Sequence, residues 1–421
     1  MPPVSLSRRQ LAVILGALLV LTLILAWWSK ARCLGDGGWQ DGEQYMAWCY
    51  TDIYPLWWAE GLDQGATPYV DHPVEYPVLI GTQMWVAAGL VRAFVFDKGA
   101  WATAFFHTTV LLSAPLYALA AYRLYRMGVS TGRLLWVVAV PTFVVYAFMN
   151  WDAAALALAV LAVEFHRRDR EVLAGAAAGL GAAAKLFPGF LVPIVVVARL
   201  RRGQRREALE HACAAGGAWL AVNLPVMLRA PDGWAEFLRL NRERPADWDS
   251  LWFYAQQTWG ATLEVSRLNL LTAGLFVAGS AAIIAIGQRR LEPSEQWRLL
   301  LPVLCWFLLT NKVYSPQFSI WLLPLMALSL PRPATFAAFA MADLFVFAIR
   351  FPFLGGGQEL SPAPGYDLFA VAILARAVVL AWVIAETLAR PPTPLDPRPP
   401  PWSSDRRSSR QPAAAPAPTA V

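Results

Sequence analysis

The segment 29–75 and the residues just after it hold the side chains best suited to chemistry, because carboxylates are mixed there with many aromatic rings. Carboxylates accept protons from hydroxyl groups, and aromatic rings pack against the apolar faces of sugars. The candidate residues for a carbohydrate site are Tyr50, Asp52, Tyr54, His72, Glu75 and Tyr76. The alternative is a belt of interfacial aromatic residues with solvated acids.

A further carboxylate, Asp152, lies in the short turn Asn150-Trp151-Asp152 between two apolar runs. A charge at such a position is costly, which makes it a candidate for function. The alternative is that Asp152 caps the helix that begins at Ala153, and the two roles are compatible.

Two lysines occupy similar positions between apolar runs, Lys185 in Ala-Lys-Leu-Phe-Pro and Lys312 in Asn-Lys-Val-Tyr-Ser-Pro-Gln. An ammonium at the membrane edge can hold a phosphate as a point charge. The alternative is that both lysines reach towards lipid headgroups. His72 and Arg242 are further candidates for phosphate binding, although a solvated loop also explains Arg242. Tyr314 and Gln317 follow Lys312 closely and are candidates for substrate binding.

The cysteines and histidines do not indicate a metal site. Cys33 and Cys49 fall in one polar loop, where a disulfide between them is plausible. The sequence has no Cys/His cluster of the zinc type, no phosphate-binding glycine loop and no nucleophilic serine motif. We therefore predict no cofactor and no metal ligands, with a divalent cation left open, and find no support for a nucleotide-sugar site.

The composition indicates the class of protein to which these candidate residues belong. Of 421 residues, 57% are hydrophobic and 15% are charged, whereas soluble domains carry roughly 25% charged residues. Such a chain cannot cover its surface with polar groups, so a soluble globular enzyme is excluded. The sequence predicts an all-α, polytopic membrane protein.

Apolar runs recur along the chain, and several have only 13 to 16 residues. A complete span needs roughly 20 residues, so we expect some broken helices or helices that end at a water-filled cavity. The runs are 11–28, 78–96, 102–122, 134–149, 152–165, 172–184, 186–198, 208–228, 268–287, 297–310, 314–330, 333–349 and 367–388.

Arginine clusters orient these runs, because basic residues remain on the cytoplasmic side. The clusters near 123–133, 167–170, 199–206 and 289–290 share one side only if the run 78–96 does not cross the membrane. We therefore predict about 12 spans, an interfacial or re-entrant helix at 78–96, cytoplasmic termini and a functional outer face.

Two further features complete the organisation of the chain. Residues 391–421 are rich in Pro, Ser, Arg and Ala and are predicted to be a disordered cytoplasmic tail behind a membrane domain at 1–390. Asp343 and Arg350 lie seven residues apart, on one face of a helix, and are predicted to form a structural ion pair.

Several blocks of sequence together resemble glycosyltransferase family 87. They are Cys-Tyr-Thr-Asp-Ile-Tyr-Pro-Leu, Pro-Tyr-Val-Asp-His-Pro-Val-Glu-Tyr-Pro-Val-Leu-Ile-Gly, Asn-Trp-Asp, Ala-Lys-Leu-Phe-Pro and Asn-Lys-Val-Tyr-Ser-Pro-Gln-Phe. The resemblance covers about residues 10–388. It departs from the family at Phe187 and Phe318, where Tyr is common.

The resemblance implies an integral membrane enzyme of the GT-C class with interfacial helices in its first external loop. It also implies a polyprenyl-phosphate sugar donor, commonly of mannose, and a lipid or glycan acceptor on the outer face of the cell membrane. In that class an acid of the first external loop serves as base and a second acid often lies in the next external turn, here Asp52 and Asp152.

The resulting hypothesis is inverting transfer of a hexose, with Asp52 as general base and Lys185, Lys312, His72 and Arg242 as candidates for stabilising the phosphate leaving group. We expect a monomer that contacts membrane lipids and no nucleic acid. The alternative is a transporter or flippase of a lipid-linked glycan, because short, interrupted apolar runs also occur in transporters.

Overall fold

The computed structural model describes residues 7–35, 39–357, 359–360, 362–390 and 394–395. These residues form α-helices and short 3-10 helices, with one isolated bridge between Pro68 and His72. The predicted all-α fold is therefore confirmed. The predicted disordered tail, except for residues 394–395, lies outside the described residues.

The helices differ widely in length. Those of the first half are α1 Arg8–Ala31, α2 Glu43–Met46, α3 Leu56–Ala59, α4 Val78–Phe94, α5 Trp101–Arg126, α6 Thr131–Val138, α7 Pro141–Tyr146, α8 Ala153–Arg167 and α9 Glu171–Ala184. Those of the second half are α10 Leu191–Arg201, α11 Arg205–Arg229, α12 Pro231–Glu243, α13 Leu251–Trp259, α14 Val265–Arg290, α15 Leu300–Thr310, α16 Leu322–Ser329, α17 Pro333–Gly356 and α18 Tyr366–Ala389.

Six helical segments of the described chain are long and apolar enough to cross a membrane: Arg9–Ala31, Lys98–Arg126, Arg205–Arg229, Val265–Arg290, Pro333–Gly356 and Tyr366–Ala389. Shorter apolar helices lie at Val78–Phe94, Thr131–Tyr146, Glu171–Ala184 and Pro316–Ser329. The chain is thus a multi-pass membrane protein. The count of twelve spans stays a prediction, as does the suggestion that α4 does not cross.

Several apolar runs are interrupted, as the sequence predicted. The run 134–149 divides into α6 and α7, and 3-10 helices at Phe187–Phe190 and Pro316–Trp321 precede α10 and α16. Proline lies at the first or second position of each 3-10 helix, where its missing backbone N–H costs no hydrogen bond, so these positions favour the start of a new helix. At these interruptions, backbone groups and polar side chains at the ends of short helices are available for hydrogen bonds outside the helix.

Helix α9 packs closely against both α8 and α11. Glycine is required at this crossing, because a Cβ atom at Gly175 or Gly179 would collide with the backbone carbonyl oxygen of His211 or Ala215. The close approach of the two backbones fixes the position of Lys185, the residue that follows α9.

The loop after α1 is fastened to the bundle at two places. A disulfide joins Cys33 and Cys49, which confirms the pairing that the sequence suggested. Next to it, the Asp52 N–H donates to the Met149 carbonyl at 2.8 Å, and the Thr51 hydroxyl donates to the Phe148 carbonyl at 2.8 Å. Asp52 is therefore held against the turn between α7 and α8.

The predicted ion pair between Asp343 and Arg350 is wrong. Arg350 pairs with Asp249 at 2.6 Å, and Asp343 faces Arg376 at 3.5 Å. Seven residues correspond to about 10 Å along a helix, so residues on one face can still be too far apart to touch.

Candidate active site

A cavity of about 710 Å³ opens where the first loop, the α7–α8 turn, the end of α9, α12, the segment after α15 and α17 meet. Its apolar lining includes Leu186, Phe187, Phe237, Leu240, Phe307 and Phe318. Its polar lining includes Tyr50, Asp52, Glu75, Tyr76, Asn150, Lys185, Arg244, Gln317 and Arg350. This mixture suits a ligand with both a polar and an apolar part.

Asp52 presents a half-buried carboxylate to this cavity. Its Oδ2 atom accepts a hydrogen bond from the Asn150 side-chain amide at 2.7 Å and a longer one from the Gln317 amide at 3.3 Å. Two neutral amides fix the orientation of the carboxylate without neutralising it. Asp52 thus stays available as a proton acceptor.

Asn150 joins the acidic and the basic parts of the site. Its Nδ2 atom donates to Asp52 and to the Tyr76 hydroxyl, each at 2.7 Å, while its Oδ1 atom accepts from Lys185 Nζ at 2.8 Å. The backbone N–H of Trp151 donates to the same oxygen at 2.7 Å. The amide is therefore bonded on both sides and buried.

Lys185 is the cation of this cluster. Its Nζ atom lies 3.7 Å from Asp152 Oδ1 and 4.9 Å from the centre of the Tyr76 ring. Asp152 is fully buried behind Lys185, makes no side-chain cap of α8, and accepts a hydrogen bond from Trp321 Nε1 at 2.8 Å. The structure therefore brings both predicted acids to one cluster, with Asp152 outside the cavity lining.

Electrostatic effects in the first loop reinforce this arrangement. The negative charge of Asp52 and burial raise the pKa of Tyr50, so its hydroxyl remains protonated beside the carboxylate. Burial, followed by the charge of Asp52, raises the pKa of Glu75. Both residues line the cavity, so hydroxyl and carboxyl groups face a ligand from one side.

Two of the predicted phosphate-binding residues lie apart from the cavity lining. Lys312 is buried and donates to the Arg244 carbonyl and to the Asn269 side chain, at 2.6 and 2.5 Å. The side chain of Arg242 is exposed, and its carbonyl accepts from Asn269 at 2.7 Å. Lys312 thus ties the loop after α12 to α14.

Three more predicted residues also lie outside the cavity lining. His72 lies 3.7 Å from Glu60 and lines a separate cavity of about 420 Å³. Tyr54 is buried against Trp39 and Trp58. Tyr314 is buried, with its hydroxyl 3.0 Å from Ser319 Oγ. Phosphate binding by His72 and substrate binding by Tyr54 and Tyr314 stay predictions.

Sequence reasoning assigned no site role to Asn150 or Arg350, both of which line the cavity. The signal for Asn150 was present, since it stands beside Asp152 in a turn between apolar helices. Arg350 was assigned to a structural pair. Arg244, which also lines the cavity, was an anion-binding candidate in the same loop as Arg242, with a solvated loop as the favoured alternative. Among the described residues, no group of three or more His, Cys, Asp or Glu side chains is placed to hold a metal ion.

The comparisons with known proteins identify the family of this chain. The model of glycosyltransferase family 87 matches residues 76–311, which is more than half of the chain. The chain belongs to glycosyltransferase family 87. The chain is therefore a glycosyltransferase, and the family assignment does not support the alternative of a transporter or flippase. The matched range includes Tyr76, Asn150 and Lys185, whereas Asp52 precedes it.

No curated protein matches this family 87 chain. Among solved structures, it is similar to ArnT from Cupriavidus metallidurans bound to undecaprenyl phosphate, with 14% sequence identity and a TM-score of 0.45. That similarity covers 91% of this chain and 78% of ArnT.

Proposed function

We propose that this enzyme transfers a hexose, in the first instance mannose, from a polyprenyl-phosphate donor to a hydroxyl of a lipid or glycan acceptor. The observation that carries the proposal is the Asp52 carboxylate, held by the Asn150 and Gln317 amides in a cavity with one polar and one apolar part. A donor with a sugar phosphate and a long isoprenoid chain needs both parts.

Asp52 acts as the general base in this proposal. The acceptor oxygen attacks the anomeric carbon and gives its proton to Asp52, while the bond between that carbon and the phosphate oxygen breaks. The electron pair of that bond leaves with polyprenyl phosphate. Base catalysis of this kind contributes roughly 10²–10⁴ to the rate. Direct displacement inverts the anomeric centre.

Lys185 stabilises the charge that develops on the leaving phosphate. Its ammonium lines the cavity, one amide away from Asp52, since both contact Asn150. Asp152 contacts Lys185 from behind and takes a positioning role, because it does not line the cavity. This assignment departs from the sequence-based view of Asp152 as a second catalytic acid.

We also propose that the cavity faces the outside of the cell and that both termini are cytoplasmic. Arginines follow the opposite end of the same helices, since α8 begins after Asp152 and ends at Arg167. The orientation is testable with Gln64→Cys in a Cys213→Ala background. A membrane-impermeant maleimide should label intact cells, and labelling only after permeabilisation would contradict the proposed orientation.

The function is tested with purified enzyme, radiolabelled polyprenyl-phosphate mannose and an acceptor lipid extract. We expect loss of the donor, release of polyprenyl phosphate and a labelled product whose new linkage has the opposite anomeric configuration. Retained configuration would contradict direct displacement. Absence of transfer from polyprenyl-phosphate mannose, glucose and galactose alike would contradict the donor class.

A further inference from the structure

Four charged side chains lie buried together between the loop before α13 and helices α17 and α18. They are Asp249, Arg350, Arg376 and Asp343, here called the charge quartet. Arg350 Nε donates to Asp249 Oδ1 at 2.6 Å. Arg376 lies 3.5 Å from Asp249 Oδ2 and 3.5 Å from Asp343 Oδ1.

The charge quartet sums to zero, yet its burial has a cost. Removing paired charges from water costs about as much as their attraction returns, so a buried ion pair is weak support for stability. Its more distinctive property is geometric, because Asp249 holds Arg350 by the Nε edge of the guanidinium. A guanidinium fixed on one edge has its position set before a ligand arrives.

Arg350 also lines the active-site cavity, although its side chain is only 11% exposed. A guanidinium carries five N–H donors in a planar fork that matches the oxygens of a phosphate. Within the described residues, the hydrogen bond to Asp249 is the only one that this guanidinium makes. Its remaining donors are therefore the ones to consider for a ligand in the cavity.

We infer that Arg350 is an anion-binding residue of the cavity that receives the phosphate of the polyprenyl-phosphate donor, and that Asp249 is the positioning residue that holds it. This inference rests on the proposed function and adds a second cation to Lys185. The two cations have different roles on one phosphate. The planar guanidinium of Arg350 orients the phosphate, and the ammonium of Lys185 stabilises the charge that develops on it.

The charge quartet also connects this cation to the proposed base. Arg376 lies over the Tyr314 ring at 3.7 Å from its centre, and the Tyr314 hydroxyl is 3.0 Å from Ser319 Oγ. The segment between these two residues contains Gln317, whose amide contacts Asp52. One buried network thus fixes both the anion-binding residue and a hydrogen-bond donor to the base.

The inference is tested by direct binding of undecaprenyl phosphate to the purified full-length enzyme. We expect Arg350→Gln to raise the Kd about 10- to 100-fold, the range for losing charge-assisted hydrogen bonds. Arg350→Lys should recover part of the affinity, because the charge remains without the fork. Asp249→Asn should weaken binding about 3- to 10-fold while Arg350 is still present.

The matched control is Arg332→Gln, because Arg332 also pairs across α17 and α18, with Glu386 at 2.8 Å, but lies outside the cavity lining. Its Kd should equal that of the wild type. The double variant Asp249→Asn/Arg350→Gln keeps the quartet neutral, so it should fold as well as the wild type and still bind weakly.

Four results would overturn the inference or one of its parts. Wild-type affinity in the double variant or in Arg350→Gln would show that Arg350 does not hold the phosphate. Wild-type affinity in Asp249→Asn would remove the positioning role. An equal loss of phosphatidylglycerol binding in Arg350→Gln would assign Arg350 to lipid headgroups in general. If the wild type itself did not bind undecaprenyl phosphate, the proposed donor would fail as well.

Discussion

The two ends of the α8–α9 helix pair carry buried polar clusters of opposite character. At one end, Asp152 precedes α8 and Lys185 follows α9, and both belong to the cluster around Asn150. At the other end, about 22 Å along α8, Glu171 begins α9 and is surrounded by His166, His211 and Arg199.

The difference lies in what the carboxylates contact. Both oxygens of Glu171 are used, one by His166 Nδ1 and Arg199, the other by His211 Nδ1, with both imidazole contacts at 2.8 Å. Asp52 accepts hydrogen bonds from neutral groups, the Asn150 and Gln317 amides and the Tyr50 hydroxyl, and it faces a cavity. A carboxylate whose two oxygens are both paired with basic side chains indicates a structural cluster, whereas a carboxylate that has only neutral partners and faces a cavity is a candidate for chemistry.

Substitutions in the cluster around Glu171 should lower the stability of the protein. Glu171→Gln removes the charge that three basic side chains share, and breaking such a buried pair costs about 3–5 kcal/mol. We expect a lower thermal unfolding midpoint and an unchanged turnover per folded molecule. A matched comparison is Glu210→Gln, which breaks an exposed pair with Arg206 and should leave the midpoint unchanged.

A loss of turnover in folded Glu171→Gln enzyme, without a change in unfolding midpoint, would contradict the distinction between the two ends.

Substitutions at the end that we propose to be catalytic should lower the turnover rate. Lys185→Met removes the cation that we assign to the leaving phosphate, and losing one such group typically lowers kcat by about 10²–10³. Because this variant leaves Asp152 buried without its partner, Lys185→Met/Asp152→Asn is the better measured form. The double variant should fold normally and remain slow, whereas recovery of the wild-type kcat would show that Lys185 serves only to balance Asp152.

Asn150 sharpens the comparison, since it belongs to the catalytic cluster without carrying charge. Asn150→Ala removes the hydrogen bonds to Asp52 and Lys185 together, and we expect kcat to fall about 10- to 100-fold. The control is Asn241→Ala, another amide of the cavity lining, which bonds to the Phe237 carbonyl. An equal fall in kcat for the two substitutions would contradict a specific role of Asn150 in holding Asp52 and Lys185.

The smallest expected effect is a change in the pH dependence of stability, and it concerns Glu60, a buried acid of the first loop. Burial raises its pKa from 4.5 to about 7, and the Glu75 N–H donates to its Oε1 atom at 3.4 Å. The folded state therefore binds the proton more tightly than the unfolded state. Stability should decline as the pH rises from 4.5 to about 7 and stay level above it.

Glu60→Gln should remove this decline, a gain on the order of 1–2 kcal/mol at pH 8. The measurement is the unfolding midpoint at pH 5 and pH 8 in the same detergent. An equal drop between the two pH values in variant and wild type would show that Glu60 is not the group responsible.

The helices and the main acid were predictable because their signals are local. Apolar runs and proline interruptions gave α1, α5, α11 and α14 close to their observed limits, and two cysteines in one loop gave the disulfide. Asp52 stood out because a carboxylate among aromatic residues next to membrane spans has few structural uses.

The partners of these residues were not predictable in the same way. The loop around Asp249 reaches Arg350 across about 100 residues of chain, so the pairing depends on tertiary packing rather than spacing. Likewise, Lys185 and Lys312 occupy similar sequence contexts, yet one lines the cavity and the other bonds to a loop carbonyl. Sequence supplied the residue types, and the packing of α9, α12 and α15 decided which of them face a ligand.

The central claim, that Asp52 is the base, is tested most directly by single-turnover transfer with Asp52→Asn. Asparagine preserves the shape of the side chain but cannot accept the proton. We predict a rate about 10²–10⁴ lower than that of the wild type, with donor Kd unchanged. Asp41→Asn, at an exposed acid of the same loop, should transfer at the wild-type rate. A folded Asp52→Asn enzyme that transfers sugar at the wild-type rate would contradict the account.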